Sequence, residues 1–312
     1  MMNAPHDLLS AVDRLQRRRP ALAFIVAVLK KFSDDQAGNL AALLAYYAFL
    51  AILPLLLVLV TVLDLVLSHD PALRDQVLDS ALRYYPALRS QLVGSVHSLN
   101  RSGFALVFGL IASFLGARGV ARVAQNAFNA VWEVPFARRP QFPWSLLRGI
   151  GLILVVGLGQ IVTGILSGFA GGVGHAITRA GPEVGAAALA LVLNVGLFWL
   201  AFRLATASEV SWRDLRLGAM LAAGSWQVLQ LVGGYVLDHL LHHSSALYGV
   251  FGVVLGLLAW LYLQARITLY AIEASTVHAW RLWPRGLLPP LTEQDQRAYK
   301  LYAQVTRQSP AD

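Results

Sequence analysis

The sequence predicts an all-α, polytopic membrane protein with six transmembrane helices and additional amphipathic surface helices. Of its 312 residues, 57% are hydrophobic and 13% are charged, whereas about 25% are charged in a typical soluble domain. The apolar residues form long runs, and the basic residues cluster between these runs. Such a chain would expose more apolar surface in water than a soluble protein tolerates, so we expect its solvent to be a lipid bilayer.

The lengths of the apolar runs predict where the chain crosses the membrane. About 20 consecutive apolar residues are needed to cross the hydrocarbon core. Five segments have that length, and these are 40–67, 146–170, 184–205, 215–237 and 246–277. A sixth apolar segment, 103–117, is shorter and by itself is also compatible with a re-entrant segment.

The distribution of lysine and arginine favours six spans over five. With six spans, the predicted cytoplasmic segments hold 19 basic residues and the predicted outer segments hold 5, with Arg266 left inside the membrane. Cytoplasmic loops of membrane proteins carry such an excess of basic residues. We therefore expect a multi-pass protein of a bacterial inner (plasma) membrane with both termini in the cytoplasm, in which the formal net charge of +8 belongs to loops and not to a nucleic-acid interface.

Two regions are predicted to flank the transmembrane domain, which we place at 39–278, and two further regions are predicted to leave the bilayer within it. Residues 1–38 form a cytoplasmic N-terminus, with a surface helix at 21–32 whose apolar side faces lipid and whose Lys30 and Lys31 point toward headgroups. Residues 68–102 form an outer loop with amphipathic helices, and 118–132 extend the second span into the cytoplasm. The cytoplasmic tail 279–312 contains a short helix that Thr292 and Asp295 are spaced to cap.

The last span carries polar residues that the hydrocarbon core would disfavour. Tyr262, Arg266, Tyr270 and Glu273 share one helical face, and a charged residue at mid-bilayer costs about 2.5–3.5 kcal/mol on insertion scales. Arg266 should therefore face the bundle interior and have a partner. Two interpretations stay open: a buried ionic lock between helices, or a polar path for an anionic solute or lipid headgroup. The further candidates for this path are Asn194, Gln160 and Asp64.

Proline and glycine mark the expected kinks and close contacts between helices. Pro54 should kink the first span, either to line a cavity or to improve packing. Small residues at intervals of four let helix backbones approach closely. The glycines with this role are predicted to be Gly164, Gly168, Gly172, Gly252 and Gly256.

Enzyme and metal chemistry have little support in the sequence. The chain contains no cysteine, which excludes thiolate metal sites and cysteine nucleophiles. His239 and His243 have the spacing for a shared metal on a helix, but nothing visible completes the site. Asp34, Asp35 and Glu133 are interpreted as solvated surface groups. We therefore expect no catalytic site, no cofactor and no metal.

An ordered set of short motifs resembles the YihY/BrkB family of bacterial inner-membrane proteins, and the later ones resemble its high-GC Gram-positive branch. The motifs are 41–47 (AALLAYY), 53–55 (LPL), 126–129 (NAFN) with Trp132, 217–219 (LGA), 248–249 (YG), 257–262 (LLAWLY), 282–285 (LWPR) and 291–293 (LTE). Leu217, Arg266 and Ile272 depart from the family pattern.

The resemblance implies six transmembrane helices and a link to the export of lipid or envelope components. The ribonuclease label that the family has carried is not expected to apply, because the sequence offers no set of groups for phosphodiester hydrolysis. We expect a transporter or export protein in contact with membrane lipids. The alternative is a non-catalytic membrane protein that binds or positions partners, and a homo-oligomer is compatible with either.

Overall fold

The computed structural model describes residues 13, 15–16, 18–66, 103–174 and 181–308, and these ranges contain helices and no strands. The main helices are α1 (Pro20–Asp34), α2 (Ala37–Val66), α3 (Gly103–Val131), α4 (Trp144–Gly174), α5 (Gly181–Ala205), α6 (Arg216–Trp280) and α7 (Glu293–Gln308). A short 3-10 helix, Phe136–Arg138, lies between α3 and α4. The all-α class is therefore confirmed, and the predicted outer loop 68–102 lies outside the described residues.

Helices α2 and α3 approach closely because α3 presents two glycines to α2. A Cβ atom added to Gly116 would lie 2.9 Å from the Ala51 Cα atom, and one added to Gly119 would lie 2.7 Å from the Tyr47 ring. Tyr47 and Ala51 on α2 therefore pack directly against α3. Pro54 lies inside α2, three residues beyond this contact.

Helix α6 covers two predicted spans, 215–237 and 246–277, in one continuous run of 65 residues. The backbone N–H of Gly218 donates a 2.6 Å hydrogen bond to the Ser275 hydroxyl. A straight helix would separate these residues by about 85 Å, so α6 reverses direction between them.

A packed hydrophobic core lies at the end of the bundle where α1, α3, α5 and α6 meet. Phe128 contacts Phe202 edge-to-face with ring centroids 5.4 Å apart, and Trp132 contacts Trp280 in the same way at 5.8 Å. Phe128, Phe202 and Trp132 belong to one buried hydrophobic core, and the partly buried Trp280 packs against it. This core fixes the ends of α3 and α6 relative to each other.

Apolar side chains cover much of the outer surface of the bundle. Val192 on α5 is 67% exposed and Leu255 on α6 is 63% exposed. Among the described residues, Ala188–Ala205 and Val254–Trp280 are long and apolar enough to cross a membrane, while Ala37–Ile52 and Trp144–Gly159 are shorter apolar helices. Two segments thus meet the length criterion, and six are not established by it.

Candidate functional site

A lysine with no exposed surface lies at the centre of the packed end of the bundle. The Lys31 ammonium donates to the Asp35 carboxylate and to the Val131 carbonyl oxygen, the latter at 3.0 Å. It also lies 3.6 Å from a carboxylate oxygen of Glu133 and 3.5 Å from one of Glu273. We call Lys31, Asp35, Glu133 and Glu273 the Lys31 cluster. It places three carboxyl groups around one cation.

The Lys31 cluster forms where the C-terminal ends of three helices converge. Lys31 and Asp35 are at the end of α1, Glu133 follows α3, and Trp280, the last residue of α6, lies with its ring centroid 5.8 Å from the ammonium. Helix C-termini carry partial negative charge and stabilise a cation. The backbone itself therefore favours the buried ammonium.

The electrostatic environment holds Lys31 charged and disfavours ionisation of its neighbours. Burial lowers the pKa of Lys31, but the carboxylates of Glu273 and Asp35 outweigh burial and hold it above its ordinary value. Burial raises the pKa of Asp35 despite the opposing effect of Lys31. Burial likewise raises the pKa of Glu133 from 4.5 to about 7. A carboxyl group in this cluster therefore titrates in the neutral range.

The C-terminal segment covers the cluster and is itself held by ion pairs. The Arg285 guanidinium contacts Asp34 at 2.9 Å and Asp295 at 3.0 Å, and Lys30 contacts Asp295 at 2.9 Å. Burial raises the pKa of Asp295, but hydrogen bonds from Lys30, Thr292 and the Gly286 N–H outweigh it and hold the pKa well below its ordinary value. The ring of Tyr302 on α7 then lies 5.7 Å from the Lys31 ammonium.

Arg266 lies on α6 before Glu273 and is surrounded by aromatic rings. Its guanidinium carbon is 5.6 Å from the ring centroids of Phe32 and Tyr262 and 5.7 Å from that of Tyr270. One nitrogen donates a 3.1 Å hydrogen bond to the Tyr270 hydroxyl. Arg266 is partly exposed, and within the described ranges it forms no ion pair with a carboxylate. The arrangement can present guanidinium N–H groups to an anion.

The structure brings together only part of the predicted polar path. Tyr262, Arg266 and Tyr270 are adjacent, whereas Glu273 pairs with Lys31 and not with Arg266. Asn194 is partly exposed on α5. The side chains of Gln160 and Asp64 lie outside the described residues.

The predicted glycine contacts are described at one position only. A Cβ added to Gly256 would meet no described atom within 4 Å, so this glycine is not at a close helix contact with the described residues. Gly164, Gly168 and Gly172 lie in α4 and Gly252 lies in α6; the contacts of all four fall outside the described part of the chain.

Three charged residues were assigned to the wrong environment by sequence reasoning. Lys31 does not reach headgroups, because its side chain has 0% exposure. Asp35 and Glu133 are not solvated surface groups, with side-chain exposures of 5% and 15%. The sequence signal for the burial of Lys31 is its spacing from Ala23 and Ala27. This spacing places the lysine on the buried face of α1.

A protein-family model matches most of this chain. Residues 28–293 match the family model described as virulence factor BrkB. The chain belongs to the BrkB family. The resemblance drawn from its short motifs is thereby confirmed.

Several membrane proteins are similar to this BrkB family member. The inner membrane protein YhjD of Escherichia coli is 27% identical over 273 residues, covering 81% of this chain and 80% of YhjD. A UPF0761 membrane protein of Acinetobacter baylyi is 22% identical over 262 residues, covering 81% of this chain and 61% of that protein. No solved structure matches. The protein is thus a membrane protein of the BrkB family.

The structure gives the BrkB family motifs structural roles at the packed end. The Asn129 amide donates to the Ala205 carbonyl at 3.3 Å and accepts from the Ala207 N–H at 2.7 Å, so it satisfies backbone groups at the end of α5. Thr292 of the LTE motif and Asp295 form reciprocal hydrogen bonds at the start of α7. The Thr292 N–H donates to the Asp295 carboxylate, and the Asp295 N–H donates to the Thr292 hydroxyl oxygen. The predicted cap of the tail helix is therefore present.

Proposed function

We propose that this protein is a six-span inner-membrane transporter that moves an anionic amphiphile, such as an acidic lipid or envelope component, along a path that includes Arg266. The observation that carries the proposal is the aromatic cage around an arginine that has no carboxylate partner among the described residues. A guanidinium has five N–H donors. One of them is used by Tyr270.

The surroundings of Arg266 favour an acidic lipid oxygen as a partner. A cation beside lipid without a counter-charge is costly, and bidentate hydrogen bonds to phosphate or carboxylate offset that cost. Phe32, one wall of the cage, lies on α1, the helix expected at the membrane surface. Arg266 would then lie at a depth that phosphate headgroups of the inner leaflet can reach.

The six-span topology with cytoplasmic termini is supported by the bias in basic residues, 19 against 5. It is also supported by the reversal of α6, which brings Gly218 back to Ser275. Two antiparallel arms of α6 place their outer ends on one side, as spans five and six require. Segments 40–67, 103–117, 146–170 and 184–205 supply the other four spans.

Reconstitution into liposomes tests the transport proposal. Transbilayer movement of fluorescent phosphatidylglycerol and phosphatidylcholine is measured with the wild-type protein, Arg266→Gln and, as a control, the exposed loop variant Arg213→Gln. We expect Arg266→Gln to slow the anionic lipid by about 10-fold or more, because a charge-assisted contact contributes about 1.5–3 kcal/mol. Movement no faster than in protein-free liposomes would overturn the proposal.

The absence of cysteine makes the topology directly testable. A single cysteine at Arg138 should be labelled by a membrane-impermeant maleimide only after lysis, and one at Asn100 should be labelled in spheroplasts with an intact inner membrane. Labelling of both from the same side contradicts six spans. The cysteine-free parent is the matched control.

A structural membrane protein that positions partners is the second candidate, and the Lys31 cluster favours it. The cluster joins α1, α3 and α6 through one buried cation, which is the arrangement expected of a lock. If the lock is the main role, Lys31→Met loses folded protein, while Arg266→Gln changes neither folding nor lipid movement.

A further inference from the structure

The Lys31 cluster contains more carboxyl groups than its cation can balance. Asp35, Glu133 and Glu273 face Lys31, and all four side chains are at most 15% exposed. With every group ionised, the four side chains would carry two net negative charges in a site from which water is largely excluded. Such a site lowers its free energy by binding protons.

The other charged and titratable groups around the cluster do not remove this excess. Arg139 acts on Glu133 and is itself half-buried. On the side of α7, Tyr302 acts on Lys31, and Arg285 acts on Tyr302 but forms ion pairs with Asp34 and Asp295. The C-terminal ends of α1, α3 and α6 add negative potential. The balance therefore stays negative.

Two carboxyl groups of the cluster, those of Asp35 and Glu273, face the same ammonium and are the candidates to share a proton. Both carboxylate oxygens of Glu273 are buried without a hydrogen-bond donor in the described part of the chain. Asp35 also faces the Lys31 ammonium, as Glu273 does. Two carboxylates are both acceptors, so a hydrogen bond between them needs a proton on one of them.

Glu133 is the member of the cluster that solvent reaches most easily, and its backbone is unusual. It has the largest side-chain exposure of the four residues, 15%. Its φ of 47° is left-handed, a conformation that helix ends usually give to glycine. The Glu133 N–H bonds the Ala130 carbonyl and the Val134 N–H bonds the Asn129 carbonyl. A glutamate in a backbone conformation that usually belongs to glycine indicates a functional role for its side chain.

We propose that the Lys31 cluster is a proton-binding site that loads from the cytoplasm through Glu133. A hydronium ion gives its proton to a Glu133 carboxylate oxygen, an O–H bond forms, and water is released. The proton then passes to, or is shared with, the inner pair of Asp35 and Glu273. Release is the reverse step, so no other reactant is needed.

The site goes beyond the proposed transport of an anionic amphiphile. Protonation removes one negative charge beside the cation that joins three helix ends, and so relieves the repulsion among the carboxylates around it. Use of this proton to drive transport rests on the proposed function, whereas the binding of the proton does not.

Infrared titration of the purified full-length protein in detergent tests the inference. The carbonyl stretch of protonated carboxylic acid is followed from about pH 5 to pH 9 for the wild type, Glu133→Gln, Lys31→Met and the exposed control Glu209→Gln. We expect one carboxyl group with a midpoint near 7 in the wild type. It should be absent in Glu133→Gln and unchanged in Glu209→Gln. In Lys31→Met the midpoint should move upward by about one to three pH units, because the cation is lost.

Two results would overturn the proton site. One is a wild-type protein with no carboxyl group titrating between about pH 6 and 8, a measurement that needs no variant to fold. The other is an unchanged titration in Glu133→Gln that elutes as folded protein in gel filtration. Arg266→Gln separates this inference from the proposed function, because it should slow the movement of the anionic lipid and leave the carboxyl titration intact.

Discussion

Replacing Gly218 with alanine tests the close contact between the two arms of α6. Gly218 lies in the first turn of α6, where backbone N–H groups have no partner within the helix. The Ser275 hydroxyl, from the other arm, accepts from the Gly218 N–H at 2.6 Å. The contact places the start of α6 two residues from Glu273, so it also fixes the position of the Lys31 cluster.

The structure sets the size of the effect. A Cβ at position 218 would lie 2.5 Å from the Ser275 hydroxyl oxygen and 2.7 Å from the Ala271 carbonyl oxygen. The arms must separate, which costs about 1–3 kcal/mol as overpacking and about 1 kcal/mol for the weakened hydrogen bond. Alanine regains up to about 1 kcal/mol of helix propensity. The expected loss of unfolding free energy is therefore about 1–3 kcal/mol.

Gly224→Ala is the matched control, because it lies on the same arm and its Cβ would meet no described atom within 4 Å. That variant should gain up to about 1 kcal/mol from helix propensity. Unfolding is followed by circular dichroism during titration with sodium dodecyl sulfate in mixed micelles. Equal shifts for the two variants would refute the close contact. Ser275→Ala, which removes only the hydroxyl, should lose about 1 kcal/mol.

Three further changes act at the Lys31 cluster and the tail. Lys31→Met should lower the unfolding free energy by about 3–5 kcal/mol in the same titration, because it leaves buried carboxylates without their cation. Glu133 has a pKa raised from 4.5 to about 7. Its contribution to stability is therefore complete below about pH 4.5 and falls by about 3 kcal/mol as pH rises through 7; Glu133→Gln should remove this slope when unfolding is repeated across pH. Asp295→Asn should release the tail, seen as faster tryptic cleavage at Lys300, because the ion pairs with Lys30 and Arg285 and the hydrogen bonds from Gly286 and Thr292 lose a carboxylate.

The helices were largely predictable from the sequence because their signal is local. Apolar runs predicted 146–170 and 184–205, and the structure has α4 and α5 there with ends that differ by a few residues. The predicted extension of 103–117 through residue 132 is present as the second half of α3. The length of an apolar run and the continuity of a helix depend on residues that are neighbours in the chain. A single sequence is therefore enough to predict them.

The Lys31 cluster was not predictable in the same way because its partners are far apart in the chain. Lys31 meets Glu133 and Glu273 only after three helices have packed. A lysine at a helix end beside an apolar stripe is also the pattern of a side chain that reaches headgroups, and this more common reading was wrong. The close contacts of Gly116, Gly119 and Gly218 were missed for the same reason: a glycine shows that the backbone can be approached, not which helix approaches it.

Lys31 and Arg266 show how the same kind of charge gives different chemistry in different settings. Lys31 has more negative charge around it than it can balance, so we propose that a proton binds there. Arg266 is surrounded by three aromatic rings and donates to the Tyr270 hydroxyl, so we propose that it binds an anion. Phe32 follows Lys31 directly and stacks on Tyr270 with ring centroids 3.8 Å apart. A shift of α1 on protonation of the cluster would therefore move one wall of the arginine cage, which gives the two sites a direct mechanical connection.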